Sequence, residues 1–227
     1  MPILFDVYGT LLDTASVNRA CGVVAPGRGD ELAGLWRARQ LEYTWLRAGA
    51  GRYVNFQAVT EAALRYAVQA LGARVAEDQV SALAGAYLAL DPFPEVAGAL
   101  ARLRGAGHRC GVLSNGLPEM LLPALRRAGL ADLLDPVLSA DAVHRYKPHP
   151  RVYGLGPAAL GRPAAEILFV SANGWDIAGA GWSGYRTFWV NRAGAPAEEL
   201  DAPPSAEGPT LDALAELLGA GGPNGLR

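Results

Sequence analysis

The chain has 227 residues, 51% apolar and 19% charged, with a formal net charge of -2. That suffices to bury one sizeable core with a smaller second lobe, and the lack of any Lys/Arg cluster argues against a nucleic-acid groove or an anionic membrane surface as partner. With no apolar stretch near the roughly 18 residues of a spanning helix, and an apolar run at the start in place of a charged leader, a cytoplasmic protein is expected.

The first element in chain order is an apolar run over 3–7 that reads as a buried strand. It carries a carboxylate, Asp6, at its end, with Tyr8, Gly9 and Thr10 behind it. A buried, unpaired charge costs several kcal/mol, so another part of the chain must hold Asp6. Residues 8–108 show no convincing strand. Helical periodicity instead recurs near 30–48 (Leu32, Leu35, Trp36, Tyr43), 57–71 (Leu64, Val68, Leu71) and 78–90, followed by a crossover helix near 95–106. Residues 15–91 therefore read as a helical insertion over the carboxyl edge of a sheet, with Asp91-Pro92-Phe93-Pro94 as the return hinge.

Further apolar runs over 109–113, 136–139, 167–170 and 186–190 alternate with helical patterns, which predicts a parallel sheet covered by helices. The expected fold is α/β, a doubly wound, Rossmann-like core of residues 1–14 and 92–227 with a helical cap subdomain of residues 15–91. Residues 194–209 read as a loop and 219–227 as a frayed tail. Cys21 and Cys110 stand far apart in no metal spacing and read as packed thiols of a reducing compartment. Among twenty Lys and Arg, one residue alone, Lys147, is Lys. A lone ammonium in an Arg-writing sequence suggests a place where a compact charge with three free donors is wanted.

Four segments fall where strands end. They are Phe5-Asp6-Val7-Tyr8-Gly9-Thr10, Leu113-Ser114-Asn115-Gly116, Tyr146-Lys147-Pro148 and Val170-Ser171-Ala172-Asn173-Gly174-Trp175-Asp176. Strands of a parallel sheet end along one edge, so Asp6, Ser114, Lys147 and Asp176 are expected to converge there. A carboxylate beside an ammonium and fixed amide donors is suited to act as a nucleophile.

This order of Asp, Ser, Lys and late Asp resembles the haloacid dehalogenase superfamily, and within it the L-2-haloacid dehalogenases. Leu35-Trp36-Arg37, Gln40-Leu41-Glu42-Tyr43-Thr44-Trp45-Leu46-Arg47, Asn55-Phe56 and Arg151-Val152-Tyr153 share the likeness, which covers about residues 2 to 192. The resemblance implies that Asp6 is the nucleophile, Thr10 its support, and Ser114 and Asn115 the captors of the substrate carboxylate. It places Lys147 beside Asp6 and Asp176, and has Tyr153 support the lysine and the substrate end. Asp176 orients and deprotonates water, with Ser171 and Asn173 nearby.

From helical spacing alone Arg37 is a snorkelling surface cation sharing a face with Leu41 and Thr44. The resemblance turns it toward the cleft, where with Asn115 it would receive the departing halide. Tyr8, Leu41, Phe56 and Trp175 could equally be core residues; the resemblance makes them the walls around the substrate's alkyl group. Tyr8 also bears on metal use. Phosphatases and mutases of the superfamily usually carry a second Asp two residues after the nucleophile, and their late motif commonly has two acidic residues where this one offers Ser171, Asn173 and Asp176. Magnesium prefers anionic oxygen ligands, so neither metal nor other cofactor is expected. The implied substrate is a small 2-halo acid and the implied assembly a homodimer. A magnesium-dependent phosphatase and a non-catalytic anion-binding homologue are the alternatives.

Overall fold

The computed structural model describes residues 1–73 and 75–221. Its first strand, β1 (Pro2–Phe5), shows why the opening run is apolar throughout. Ile3 and Phe5 enter one hydrophobic cluster and Leu4 enters another on the opposite face, as alternation along a strand covered on both sides requires. After β1 the chain turns at Gly9, whose φ of 83° lies in the left-handed region open to glycine.

A two-residue strand, β2 (Leu12–Asp13), pairs antiparallel with β3 (Asp91–Pro92). The stretch expected to be a plain return hinge is thus half of a ribbon, and residues 8–108 do hold strands, each too short to print a period-2 pattern. Between the ribbon's halves run α1 (Ala15–Val24), α2 (Gly29–Gly49), α3 (Phe56–Ala70) and α4 (Glu77–Ala84). The periodicity over 78–90 divides into α4 and a 3-10 turn, Gly85–Leu88. Within the insertion the unanticipated helix is α1, which buries only Val17 and Cys21, an i, i+4 pair too sparse to read as a stripe. α3 starts on Asn55, whose side chain accepts from the Ala58 amide at 2.9 Å. Trp36 Nε1 of α2 donates to the Thr60 carbonyl of α3 at 2.8 Å, tying the two helices together.

The core continues with α5 (Val96–Gly105), β4 (Arg109–Ser114), α6 (Pro118–Arg127) and β5 (Val137–Ser139). Then come α7 (Pro150–Tyr153), α8 (Leu155–Leu160), β6 (Leu168–Ser171), α9 (Gly174–Trp182), β7 (Arg186–Val190), β8 (Ala206–Gly208) and α10 (Leu211–Gly221). Six strands form one parallel sheet in the order β5-β4-β1-β6-β7-β8. Numbered within that sheet alone, this is 3-2-1-4-5-6, the doubly wound order whose direction reverses beside its first strand and opens a crevice at the strands' carboxyl ends. Leu100 of α5, Leu121 of α6 and Leu214 of α10 pack on the face with Ile3 and Phe5, while Val152 of α7 and Ala180 of α9 join Leu4 on the other.

Two further expectations need correction. The loop over 194–209 contains β8, an edge strand of Ala, Glu and Gly that pairs through its backbone with β7 and has no side-chain signature. The tail expected over 219–227 is helical to Gly221, and residues 222–227 lie outside the described residues. Among the described residues no helix is long and apolar enough to cross a membrane.

Candidate active site

Asp6 follows β1 directly, and its amide donates to the Val170 carbonyl of β6 at 2.9 Å. Three side chains reach its carboxylate. Lys147 Nζ donates to Oδ1 at 3.1 Å, and Thr10 Oγ1 and Asn173 Nδ2 donate to Oδ2 at 3.2 and 3.0 Å. Thr10 Oγ1 also accepts from the Ala172 amide at 2.9 Å, fastening the turn after β1 to the end of β6. The charge posed by the opening strand is therefore held by donors from three separate segments.

Lys147 is 1% exposed and bridges two carboxylates, since Nζ also donates to Asp176 Oδ2 at 2.8 Å and lies 4.7 Å from the Phe169 ring centroid. Burial works to lower its pKa, and the Asp176 and Asp6 charges with their hydrogen bonds reverse that, leaving it above the ordinary lysine value. Burial pushes Asp176 up to about 6, with Asp6 adding to the rise against the pull of the Lys147 ammonium. Tyr153 OH donates to Asp176 Oδ1 at 2.7 Å, so it touches Asp176 directly and Lys147 only through it. Asn115 Oδ1 accepts from the Lys147 amide at 2.9 Å, which fixes the loop after β4 against the lysine segment.

The cavity above Asp6 is walled by Tyr8, Asn115, Asn173 and Trp175 from the core and by Arg37, Leu41 and Phe56 from the helical insertion. It has about 10 Å³ of free space, room for about one water molecule. Thr10, Ser114, Lys147, Tyr153, Ser171 and Asp176 lie behind this wall rather than in it. The hydroxyls of Ser114 and Ser171 each accept from a backbone amide two residues on, Gly116 at 3.2 Å and Asn173 at 3.1 Å, and each retains a proton to donate. Tyr8 stacks on Phe56 with centroids 5.8 Å apart and meets Tyr87 edge-on at 5.4 Å. Its hydroxyl is buried without a hydrogen-bond partner among the described residues, and burial raises its pKa above the tyrosine range.

One residue of the segments that carry the likeness received no role in the sequence reading. Gln40, fully buried on α2, accepts from Arg37 Nη1 at 2.6 Å and donates through Nε2 to Thr60 Oγ1 at 2.7 Å. Thr60 passes its own proton to the Phe56 carbonyl at 2.7 Å, so the Arg37 guanidinium is pinned by a hydrogen-bonded chain running from α2 to α3. The signal available in the sequence was an amide three residues beyond Arg37 and four beyond Trp36, a spacing that shares a helix face with both. Asp6 and Asp176 are the carboxylates a divalent cation would have to meet, and the Lys147 ammonium stands between them. Among the described residues no group of three or more His, Cys, Asp or Glu side chains is placed to hold a metal.

Comparison with known proteins finds a family model, haloacid dehalogenase-like hydrolase, matching residues 3–184. An (S)-2-haloacid dehalogenase of Pseudomonas sp. (strain YL) is 47% identical over 216 residues, 95% of this chain and 93% of the other. Among solved structures, an L-2-haloacid dehalogenase superposes with a TM-score of 0.94 at 45% identity, covering 96% of this chain and 98% of its own. The L-2-haloacid dehalogenase from Xanthobacter autotrophicus with chloropropionic acid covalently bound does so at 0.91 and 38%, covering 97% and 98%.

Proposed function

Because the chain belongs to the haloacid dehalogenase-like hydrolases, we propose that it hydrolyses short-chain L-2-haloalkanoic acids to D-2-hydroxy acids and halide through an ester on Asp6. The observation that carries this reading is the Lys147 ammonium set 3.1 Å from Asp6 and 2.8 Å from Asp176, beneath a cavity walled by Arg37 and Asn115. Residues 15–91 act as a cap closing on a core of residues 1–14 and 92–227.

The substrate carboxylate is held by the Ser114 hydroxyl, the third Lys147 donor and backbone amides of the 114–116 loop. Asp6 Oδ2 already accepts twice and Oδ1 once among the described residues, so Oδ1 has the lone pair free to attack C2. The new C–O bond forms as the carbon–halogen bond breaks from behind, inverting C2, and the halide leaves with both bonding electrons toward Arg37 and Asn115. No proton is needed for that departure. Water then adds to Asp6 Cγ, giving a proton to Asp176, and as the bond between Cγ and the substrate oxygen breaks Asp176 returns that proton to the departing oxygen, which leaves as the hydroxyl of the product while the Asp6 carboxyl loses its proton to solvent. Each Asp176 oxygen accepts one described side-chain hydrogen bond and keeps a lone pair for that water, and a carboxylate raised to about 6 suits a base at neutral pH. Tyr8, Leu41, Phe56 and Trp175 keep bulk water from competing with Asp6.

The ammonium supplies the positive charge that a cation would bring between the two carboxylates, which supports turnover without metal. The enzyme works in the cytoplasm, a setting that suits its buried, unpaired Cys21 and Cys110. The test is L-2-chloropropionate with enzyme in excess, in water carrying heavy oxygen. The first turnover gives halide and unlabelled D-lactate, with the label confined to the peptide that contains Asp6. Labelled lactate in that turnover, with Asp6 unlabelled, would show that Asp6 is a base and that no ester forms.

A further inference from the structure

Outside the cavity a second concavity opens to solvent, with about 350 Å³ of free space, and its walls are Trp45, Ala48, Pro148, Trp175, Trp182 and Leu200, together with Gly49 and His149. Three of these side chains are exposed, Trp45 at 40%, Trp182 at 56% and Leu200 at 37%. Trp175 walls both spaces, facing the Asp6 cavity and this groove. The two spaces also share their elements. On α2, Leu41 lines the cavity, and Trp45 and Ala48, four and seven residues on, line the groove along the same helix face. In the core, Lys147 holds Asp6 while its neighbour Pro148 walls the groove, and α9 presents Trp175 and, two turns later, Trp182.

We propose that this groove is the outer part of the substrate site and receives the alkyl tail of 2-halo acids longer than propionate, with the Trp45–Trp175 pair as the door between groove and cavity. The inference rests on the dehalogenase reading above and extends its substrate class. The two rings meet edge to face with centroids 5.6 Å apart, one from the insertion and one from the core, so parting them opens the seam that a substrate must cross. The anionic ends of the substrate have their donors deeper, at Arg37, Asn115 and Lys147. The groove has no Lys, Arg, Asp or Glu in its wall, so it accepts the tail rather than the carboxylate. Within the cavity the apolar sides that an R group on C2 can follow outward are Leu41 and Trp175, and both lead to it.

The experiment compares kcat/KM for L-2-bromohexanoate and L-2-bromopropionate, by halide release, in the wild type, Trp182→Ala and Ala48→Phe. The first variant strips one wall and the second fills the groove. Each methylene removed from water is worth a factor of about four, so the hexanoate-to-propionate ratio falls about threefold to tenfold in Trp182→Ala and at least as far in Ala48→Phe. Propionate turned over with the ratio unmoved in both variants overturns the tail site and leaves the dehalogenase intact. Neither substrate turned over by the wild type overturns the dehalogenase reading and the tail site with it. A shift from dimer to monomer on sedimentation of either variant, again with no change in ratio, would assign the groove to a second copy of the chain and overturn the proposal.

Discussion

Asp176 is fully buried, and in the proposed mechanism that burial sets the pH range in which its carboxylate serves as a base. Its pKa is raised to about 6 from an ordinary value near 4, so it is ionised above about 6 and becomes protonated as pH falls below that. Hydrolysis of the Asp6 ester should slow about tenfold per pH unit below 6, and at pH 5 the adduct should accumulate on the peptide containing Asp6, read by mass. Ester decay that stays flat from pH 7 to 5 would remove Asp176 from the base role. If Arg37 receives the halide as proposed, Gln40 acts through it. Replacing it by Leu leaves the guanidinium without its 2.6 Å acceptor and should lower kcat about tenfold or more with a smaller effect on KM, in a chain that still folds. Equal losses in kcat/KM for Gln40→Leu and for a distant surface variant would make Gln40 structural. The contrast between these two residues shows what was legible. Asp6, Ser114 and Asp176 could be found because strand ends in a parallel sheet share an edge, whereas helical periodicity treats a polar residue such as Gln40 as solvent-facing until its partner on α3 is placed.

At the scale of elements, α1 and α2 meet through two glycines. A Cβ on Gly29 would lie 2.6 Å from both Cα and N of Gly22, which are backbone atoms with nowhere to yield. Gly34, exposed on the same α2, would meet nothing within 4 Å. Gly29→Ala should therefore cost about 1–3 kcal/mol by overpacking, whereas Gly34→Ala should gain about 0.5–1 kcal/mol by helix propensity alone. Urea unfolding checks both, as a lower midpoint for the first and a higher one for the second at unchanged slope. The same pair explains why α1 was hidden: an element that packs by backbone approach at Gly22 and buries only two side chains leaves no stripe to read. β8 was hidden for a related reason, since an edge strand bonded through its backbone needs no apolar side chains, whereas β1 and β6, buried on both faces, could not be written without them.

The molecule as a whole is a sheet and an insertion sewn together around one ion cluster. Tyr53 OH of the insertion donates to Asp141 Oδ1 at 2.5 Å, and Tyr146 OH of the core donates to the Val54 carbonyl at 2.6 Å, so two tethers fasten the seam just ahead of Phe56, whose ring lies 6.2 Å from that of Tyr146. Within it a lysine takes the position a cation would need. Turnover of L-2-chloropropionate should accordingly survive exhaustive chelation; loss of activity in EDTA, restored by magnesium, would revive the phosphatase alternative. The whole-molecule plan was legible from strand spacing and the long helical interval, while the seam was not, because its tethers join residues 88 and 92 positions apart that no local pattern connects. The burial of Lys147 has one more consequence, in the chemistry of labelling. Acylating dyes, amine-directed cross-linkers and amine-coupling supports find no accessible side-chain amine on the folded chain, because the one it owns is 1% exposed and engaged by two carboxylates. Acylation of Lys147 is then a clock for the opening of the active site itself, readable on a single residue without any engineered probe.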